Sequence, residues 1–321
     1  MKRRFWITVA VTIIILATLV YFGGGYYIYY RLSKIGPAPA DTLANTPSSF
    51  KVGYSEYAGF DPVPYEVSSY EAIKFPSRQG NISLSGWYIE IAPAAPVVII
   101  THGSGASKKD ANVLIAAGML AHNGFNVLMF DLRNYGESDK DDGHTSAGNK
   151  EYQDVLGAWD YLVNVKGYRP DQVGLYGISL GGATTLIAFA EEPRVAAAFV
   201  DSPFAKMSEM VKNELTRHHL PTFFETPAIL MGQLTTGDNL LAHNPTDAIN
   251  LDNGRPIFIV HGTGDTRVSV NQTRELAALA QANGANLSVW MPEGVGHVGA
   301  MFVFTNQYEQ TLVSFFKAAL K

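Results

Sequence analysis

Short apolar runs and stretches of helical periodicity alternate along most of this 321-residue chain. The run Val97–Thr101 is apolar at nearly every position, as expected of a strand that is buried on both faces of a sheet. Strands are predicted at 70–76, 82–91, 97–101, 126–131, 173–176, 195–200, 256–260 and 287–291. Helices are predicted after four of these strands, at 110–122, 151–165, directly after Gly181, and at 303–321. This alternation predicts an α/β fold with a mainly parallel sheet and helices on both faces.

One long interval interrupts the alternation. About 55 residues separate Val200 from Pro256, and their sequence is helical in character. An excursion of this length at the ligand-binding end of a sheet predicts a cap at about 203–255. Apolar residues that favour a substrate-facing cap are Met207, Met210, Phe223, Phe224 and Met231. An ordinary pair of surface crossover helices is the alternative.

The N-terminus carries a longer apolar run. Three basic residues at 2–4 precede a strongly apolar segment of about 18 residues at 5–22, and four tyrosines follow within 26–30. This length is close to the roughly 20 residues that cross a bilayer, and the tyrosines resemble an interfacial belt. The pattern predicts an uncleaved single-pass membrane anchor with a cytoplasmic N-terminus and the remaining chain outside the cytoplasm. A cleaved signal peptide, which has a shorter apolar core, is the alternative.

Composition divides the chain into an anchor at 1–31, a linker rich in Pro, Ala, Ser and Thr at 32–64, and a folded domain at 65–321. The net charge of −5 gives no support to nucleic-acid binding. The absence of cysteine excludes disulfides, thiol catalysis and cysteine-ligated metals. No metal or other cofactor is expected.

Ser179 lies between two glycines in the sequence Gly-Ile-Ser-Leu-Gly at 177–181. A short apolar strand precedes this motif, and a helix of small residues follows it. A serine hydroxyl becomes a useful nucleophile when it is exposed, close to a base, and beside donors that stabilise an oxyanion. A sharp turn from strand to helix exposes the serine, and the flanking glycines relieve the crowding that this turn creates. The motif predicts a catalytic serine, with a glycine-rich turn and a capping serine as the alternative.

Two later strands end in residues that complement such a serine. Asp265 ends the loop after the strand at 256–260, and His297 ends the loop after the strand at 287–291. Because the carboxyl ends of parallel strands meet at one edge of a sheet, both side chains are expected near Ser179. His297 is predicted to be the general base, and Asp265 the acid that orients it.

Other residues compete for these roles. Asp201 also follows a strand and is an alternative acid, and His261 is an alternative base. His218 and His219 lie in the predicted cap and are expected to be solvated, because no metal-ligand spacing includes them.

Backbone N–H groups are expected to stabilise the oxyanion. One is the N–H of Leu180, the residue after the nucleophile. The other is the N–H of Ser104, in the His-Gly-Ser-Gly loop at 102–105, where two glycines allow a close approach of the backbone. A glycine-rich turn without function is the alternative.

Taken together, residues 70–321 resemble the α/β-hydrolase family. The matching pieces are the loop at 102–105, the sequence Asp-Leu-Arg-Asn-Tyr-Gly-Glu-Ser at 131–138, the motif at 177–181, Asp265 and His297. The chain is most similar to membrane-anchored serine hydrolases of the BEM46-like kind and to serine aminopeptidase-like esterases. This resemblance implies an eight-stranded sheet that starts with an antiparallel hairpin, and structural roles for Asp131 and Arg133. It also implies hydrolysis of carboxylic esters, including lipid or acyl-thioester substrates.

The sequence leaves three hypotheses for the function. The leading hypothesis is a membrane-tethered serine esterase, thioesterase or lipase-like hydrolase that forms an acyl-enzyme on Ser179. The first alternative is a peptidase of the proline-specific or aminopeptidase type, for which the cap offers Glu209, Glu214 and Glu225 as partners of a substrate amine. The second alternative is a membrane-anchored binding module without activity. Such modules usually lose a triad residue, and none is lost here.

Overall fold

The computed structural model describes residues 2–37, 40–237 and 239–321. The predicted anchor, linker and cap each include residues that lie outside the described ranges, namely Met1, Ala38, Pro39 and Asp238. Within the described ranges the strands form one eight-stranded sheet in the order β1-β2-β4-β3-β5-β6-β7-β8. The strands are β1 (Glu71–Pro76), β2 (Ser83–Ile89), β3 (Val97–Thr101), β4 (Asn126–Phe130), β5 (Val173–Ile178), β6 (Ala197–Asp201), β7 (Ile257–Val260) and β8 (Leu287–Trp290).

The sheet is mainly parallel. β2 pairs antiparallel with both β1 and β4, and the pairs from β4 through β8 are parallel. The α-helices are α1 (Lys2–Ser33), α2 (Ala111–His122), α3 (Tyr152–Asp160), α4 (Leu180–Glu191), α5 (Met207–Arg217), α6 (Glu225–Thr236), α7 (Thr246–Asn250), α8 (Asn271–Asn283), α9 (Ala300–Val303) and α10 (Thr305–Ala319). The predicted α/β fold, with a hairpin at its start and a helical cap formed by α5, α6 and α7, is confirmed.

Helices cover both faces of the sheet. This explains why the central strand β3 is apolar at nearly every position. Val97 and Ile99 belong to the core cluster that includes α3 and α4, whereas Val98 and Ile100 belong to the cluster that includes α2 and α10. Side chains of a strand point alternately to opposite faces, so each residue of β3 enters one of two apolar layers. Because a shift by one residue would move every side chain to the opposite face, this burial also fixes the register of the central strands and the residues at which their loops begin.

Some local features differ from the sequence prediction. The helix expected at 151–165 is α-helical only to Asp160 and continues as a π-helical turn at Tyr161–Val165. α8 was not predicted from the sequence, although its Leu and Ala residues favour a helix and two of them, Leu276 and Ala280, are buried. A short helix, α9, also precedes α10.

Residues of the predicted linker pack against the domain. Phe50 is buried, and the Asn45 side chain donates hydrogen bonds to the carbonyl oxygens of Lys51 and Lys109. A 3₁₀ turn at Val63–Tyr65 lies directly against α2. The domain boundaries stay a prediction, but much of this segment has fixed tertiary contacts.

The substitution Gly118→Ala tests the contact between α2 and the 3₁₀ turn at Val63–Tyr65. A Cβ built on Gly118 would lie 2.1 Å from the carbonyl oxygen of Tyr65, which is backbone and has little freedom to move. Alanine favours a helix by about 1 kcal/mol over glycine, yet we expect a net loss of roughly 1–3 kcal/mol in unfolding free energy from the overpacking. Denaturant unfolding of the detergent-solubilised protein measures it. Gly59→Ala, where no atom lies within 4 Å of the new Cβ, is the matched control, and equal stability of the two variants would contradict the packing.

Candidate active site

Ser179 occupies a strained turn between β5 and α4. Its backbone angles are φ 55° and ψ −116°, which a residue with a side chain rarely adopts. A Cβ on Gly177 would lie 2.4 Å from the carbonyl oxygen of Gly181, and one on Gly181 would lie 2.3 Å from the carbonyl oxygen of Thr101. Both glycines of the motif are therefore required by close backbone contacts, and the turn lifts Ser179 above the end of the sheet.

The loops after β7 and β8 bring an acid and a base to this serine. His297 Nε2 lies 2.9 Å from Ser179 Oγ, and His297 Nδ1 lies 2.6 Å from Asp265 Oδ2. When Nδ1 carries the proton and donates it to the carboxylate, Nε2 accepts a hydrogen bond from the serine hydroxyl. The three side chains that the sequence predicted to meet lie in one hydrogen-bonded chain.

The surroundings of Asp265 favour its charged form. Burial raises the pKa of this carboxyl, but hydrogen bonds from His261 and His297 and from the N–H of Val268 outweigh burial and hold the pKa well below its usual range. Asp265 Oδ1 also accepts the N–H of Arg267 at 2.8 Å. A fixed, charged carboxylate beside Nδ1 stabilises an imidazolium on His297.

The competing residues have other contacts. The carboxylate of Asp201 accepts hydrogen bonds from Tyr308 and Ser202, and the backbone carbonyl of Asp201 accepts the N–H of Ser179 at 2.7 Å. This acid therefore supports the turn from below and makes no hydrogen bond to His297 among the described residues.

His261 is fully buried and lies behind Asp265. Its Nδ1 lies 2.6 Å from Thr273 Oγ1, and its Nε2 lies 2.9 Å from the carbonyl oxygen of Val268 and 3.2 Å from Asp265 Oδ2. Because the Val268 carbonyl can only accept, Nε2 carries the proton. His261 holds the acid loop in place. In the cap, His218 is exposed and lies 3.6 Å from Glu214.

The loop after β3 lies beside Ser179. A Cβ on Gly103 would lie 3.3 Å from the carbonyl oxygen of Ile178 and 3.4 Å from Ser179 Cβ, so this loop packs closely against the serine. His102 is buried, and burial lowers its pKa, which keeps the ring neutral. Its Nδ1 contacts the Gly103 carbonyl, and its Nε2 accepts the N–H of Leu132. Leu180 is the first residue of α4, so its N–H has no partner one turn earlier in the helix.

The segment at 131–138 supports these loops from below. Asp131 accepts hydrogen bonds from Lys108 Nζ at 2.6 Å and from the Lys108 N–H at 2.7 Å. Arg133 pairs with Asp154 at 2.7 Å and donates to Ser77. These contacts agree with the structural roles that the resemblance implied.

Two cavities open beside Ser179. The larger, of about 450 Å³, also contacts His297 and is walled by the segment at 53–57 and by Phe302. Tyr57 stacks on Phe302 with ring centroids 4.3 Å apart. Composition assigned this wall to a linker, although its high density of aromatic residues was a signal that could have indicated a folded surface.

The second cavity, of about 220 Å³, lies between Ser179, the cap and the end of α1. Sequence reasoning did not place Arg31, Leu32 or Arg267 in the site, yet all three line this cavity. No sequence signal indicated that Arg31 and Leu32 of α1 lie in the site, because their position depends on the packing of α1 against the cap.

In the part of the chain that the structure describes, no group of three or more His, Asp or Glu side chains is placed to hold a metal ion. The expectation that the protein needs no cofactor stays a prediction.

The fold and this site define the class: the chain is a serine hydrolase of the α/β-hydrolase type. Residues 112–321 match the prolyl oligopeptidase family, and the chain belongs to that family.

Several known proteins are similar to it. The protein YfhR of Salmonella typhi is 25% identical over 83% of this chain and 87% of its own length. The thiohydrolase aneE of Aspergillus aculeatus is 32% identical over 40% of each chain. The structure of the Pyrococcus furiosus esterase Pf2001 has a TM-score of 0.66 at 20% identity and covers 90% of this chain and 99% of that chain. This last likeness concerns the fold alone.

Asp265→Asn and Asp201→Asn separate the two candidate acids. Asparagine at 265 removes the charge that orients His297, so kcat for a carboxylic ester should fall about 10²–10⁴-fold. Asparagine at 201 leaves the contacts of His297 intact, so kcat should stay within about tenfold of wild type. Steady-state kinetics with p-nitrophenyl butyrate measures both. A larger loss in the Asp201 variant, with its fold intact by circular dichroism, would reverse the assignment.

Proposed function

We propose that the protein cleaves carboxylic esters, lipid esters among them, or acyl thioesters, through a catalytic triad of Ser179, His297 and Asp265. The observation that carries this proposal is the continuous chain of hydrogen bonds, 2.9 Å from Ser179 Oγ to His297 Nε2 and 2.6 Å from His297 Nδ1 to Asp265 Oδ2. These distances fit transfer of the serine proton to the imidazole without rearrangement.

The reaction takes two steps. Ser179 Oγ bonds to the carbonyl carbon while its proton passes to His297, and the oxyanion accepts hydrogen bonds from the N–H groups of Ser104 and Leu180. The intermediate collapses, and the alcohol or thiol leaves with the proton from His297. Water then attacks the acyl-enzyme, His297 takes its proton and returns it to Ser179, and the carboxylic acid is released.

A peptidase activity is the alternative, and membership of the prolyl oligopeptidase family keeps it open. Among the acids of the cap considered for binding a substrate amine, Glu214 lines the cavity with Ser179. Its carboxylate is already paired with Arg217 at 2.7 Å, so an amine would have to share this carboxylate with a guanidinium. This contact favours ester substrates over peptides with a free amino terminus. A binding module without activity is disfavoured because all three triad side chains are present and in contact.

Labelling and substrate choice test the reaction. A fluorophosphonate probe should label the wild type and Ser314→Ala, a surface control, but not Ser179→Ala. Ser179→Ala should also lower kcat for p-nitrophenyl butyrate by at least about 10⁴-fold. Matched p-nitroanilides of proline and of N-terminal amino acids should be poorer substrates than the ester. Faster cleavage of an anilide than of the ester would favour the peptidase hypothesis. A folded wild type that the probe does not label would favour the binding module without activity.

We also infer that α1 is a retained membrane anchor. Its residues 2–33 form one continuous helix with a mean hydropathy of 2.4 in its most apolar window. The C-terminal part of this helix packs against the rest of the protein, and Ile28 and Tyr29 are buried. Because signal peptidases cleave extended segments, this packing disfavours cleavage there. The basic residues at 2–4 favour a cytoplasmic N-terminus and a catalytic domain on the other side of the membrane.

Single-cysteine labelling tests this topology, because the chain has no cysteine of its own. A membrane-impermeant maleimide should label Ser314→Cys from outside intact cells, and Arg3→Cys only after the membrane is opened. An N-terminal tag should remain on the mature protein. Labelling of Arg3→Cys from outside would reverse the orientation, and loss of the tag would establish a cleaved signal peptide.

A further inference from the structure

The C-terminal part of α1 is built into the cap. A Cβ on Gly25 would lie 2.6 Å from the backbone of Pro227, and one on Gly232 would lie 2.6 Å from the Tyr29 ring. Glycine at both places lets α1 and α6 approach closely, and Ile28 beside them is buried. Most residues of α1 before this contact are exposed. The single helix α1 therefore has an exposed apolar N-terminal part and a C-terminal part that packs against α6 of the cap.

The main domain also fixes the end of α1. Ser33 Oγ lies 2.8 Å from His144 Nδ1, and the Ser33 carbonyl accepts the N–H of Thr145 at 2.8 Å. The N–H of Ile35 donates to the carbonyl oxygen of Gly143 at 3.0 Å. Residues 31 and 32 consequently have a defined position beside Ser179.

Two neighbouring cavities run along this end of the helix. The cavity of about 220 Å³ contains Ser179, and another of about 240 Å³ lies between α1 and α5. The two share Arg31, Leu32, Glu214 and His218 as lining residues, so they adjoin. The second cavity adds apolar walls from Tyr27, Ile28, Leu215 and Leu220. The two neighbouring cavities, called the path below, extend from the side of α1 to Ser179 and are separated by these shared side chains.

The path carries an excess of positive charge. Arg31 and Arg267 both line the cavity of Ser179, and neither has an ion-pair partner in the described ranges. Arg217 is neutralised by Glu214 at 2.7 Å. A guanidinium binds phosphate or carboxylate through paired hydrogen bonds, so two unpaired ones beside the reacting serine favour an anionic substrate.

The position of the path along α1 relates it to a membrane. Twenty residues counted from Phe5 cross the roughly 30 Å of hydrocarbon and end at Gly24. Tyr27 and Arg31 then lie about 5 Å and about 10 Å beyond the hydrocarbon edge, at the level of lipid headgroups. Phe223 is 60% exposed and stacks near Tyr21, with ring centroids 6.3 Å apart, so an apolar part of the cap reaches the same edge.

We propose that the path between α1 and the cap admits an anionic acyl lipid from the bilayer to Ser179, and that Arg31 binds its anionic headgroup. This inference rests on the ester hydrolysis and the retained anchor proposed above. The acyl ester of such a lipid lies near the headgroup layer, where the path begins. Because Arg31 belongs to α1 itself, the anchor contributes to substrate selection as well as to location.

The test uses the full-length protein in vesicles of diether phosphatidylcholine, a host lipid without a carboxylic ester. The probes are palmitoyl lysophosphatidylglycerol, which is anionic, and palmitoyl lysophosphatidylcholine, which is zwitterionic, at equal mole fraction. We expect wild type to prefer the anionic probe at least tenfold in kcat/KM. Arg31→Gln should lower this preference about tenfold, and Arg31→Lys should restore most of it.

Lys34→Gln is the matched control, because Lys34 is a nearby cation that lines neither cavity. It should keep the preference of wild type. An unchanged preference in Arg31→Gln, or an equal fall in Lys34→Gln, would overturn the role of Arg31. A water-soluble butyryl ester of glycerol phosphate should be at least tenfold poorer than the palmitoyl anionic lipid, and equal kcat/KM would overturn the bilayer as the source.

Failure of the underlying function gives a different result. Wild type that hydrolyses p-nitrophenyl butyrate through Ser179 but does not discriminate between the two lysolipids contradicts only the lipid inference. Wild type that hydrolyses neither the lysolipids nor p-nitrophenyl butyrate contradicts the proposed esterase as well.

Discussion

Gly181 faces the carbonyl oxygens of Thr101 and His102 at distances where a Cβ would lie 2.3 Å and 2.4 Å from them. This backbone contact joins the start of α4 to the end of β3, and the rest of the site depends on it. It holds Ser179 in its strained conformation and brings the loop of Gly103 against the nucleophile. Any side chain at 181 would separate the two loops, and the serine and the nearby N–H groups would lose their common position.

Much of the fold and most of the site could be predicted because they depend on local patterns. β3 is buried on both faces, so its sequence is apolar at nearly every position, and its predicted bounds are the observed ones. Ser179, Asp265 and His297 each follow a strand of the same parallel sheet, and that topology alone brings the ends of the strands together. The glycines around Ser179 indicated the turn because sterics permit little else there.

The remaining features depend on contacts between distant segments. The larger cavity is walled by residues 53–57, which lie in the segment assigned to a linker, and Tyr57 of this wall stacks on the distant Phe302. α8 is an exception, because its Leu and Ala residues are good helix formers and local sequence could have indicated this helix. Arg31 is an ordinary flanking cation in sequence, and only the packing of α1 on α6 places it beside Ser179. Local periodicity carries no information about such contacts.

Packing between α1 and the cap changes what the proposed anchor would do. A flexible tether would keep the enzyme near the membrane but leave the height and tilt of its site undefined. Here Ile28 and Tyr29 are buried, and burying side chains of this size stabilises the contact by roughly 1.5–3 kcal/mol each. In the proposed arrangement, the helix that crosses the hydrocarbon also forms part of the wall of the cavity beside Ser179. Such a connection would fix the distance between Ser179 and the bilayer through the number of helical residues. The length of the apolar span would then help to determine which atoms of the proposed lipid substrate reach Ser179.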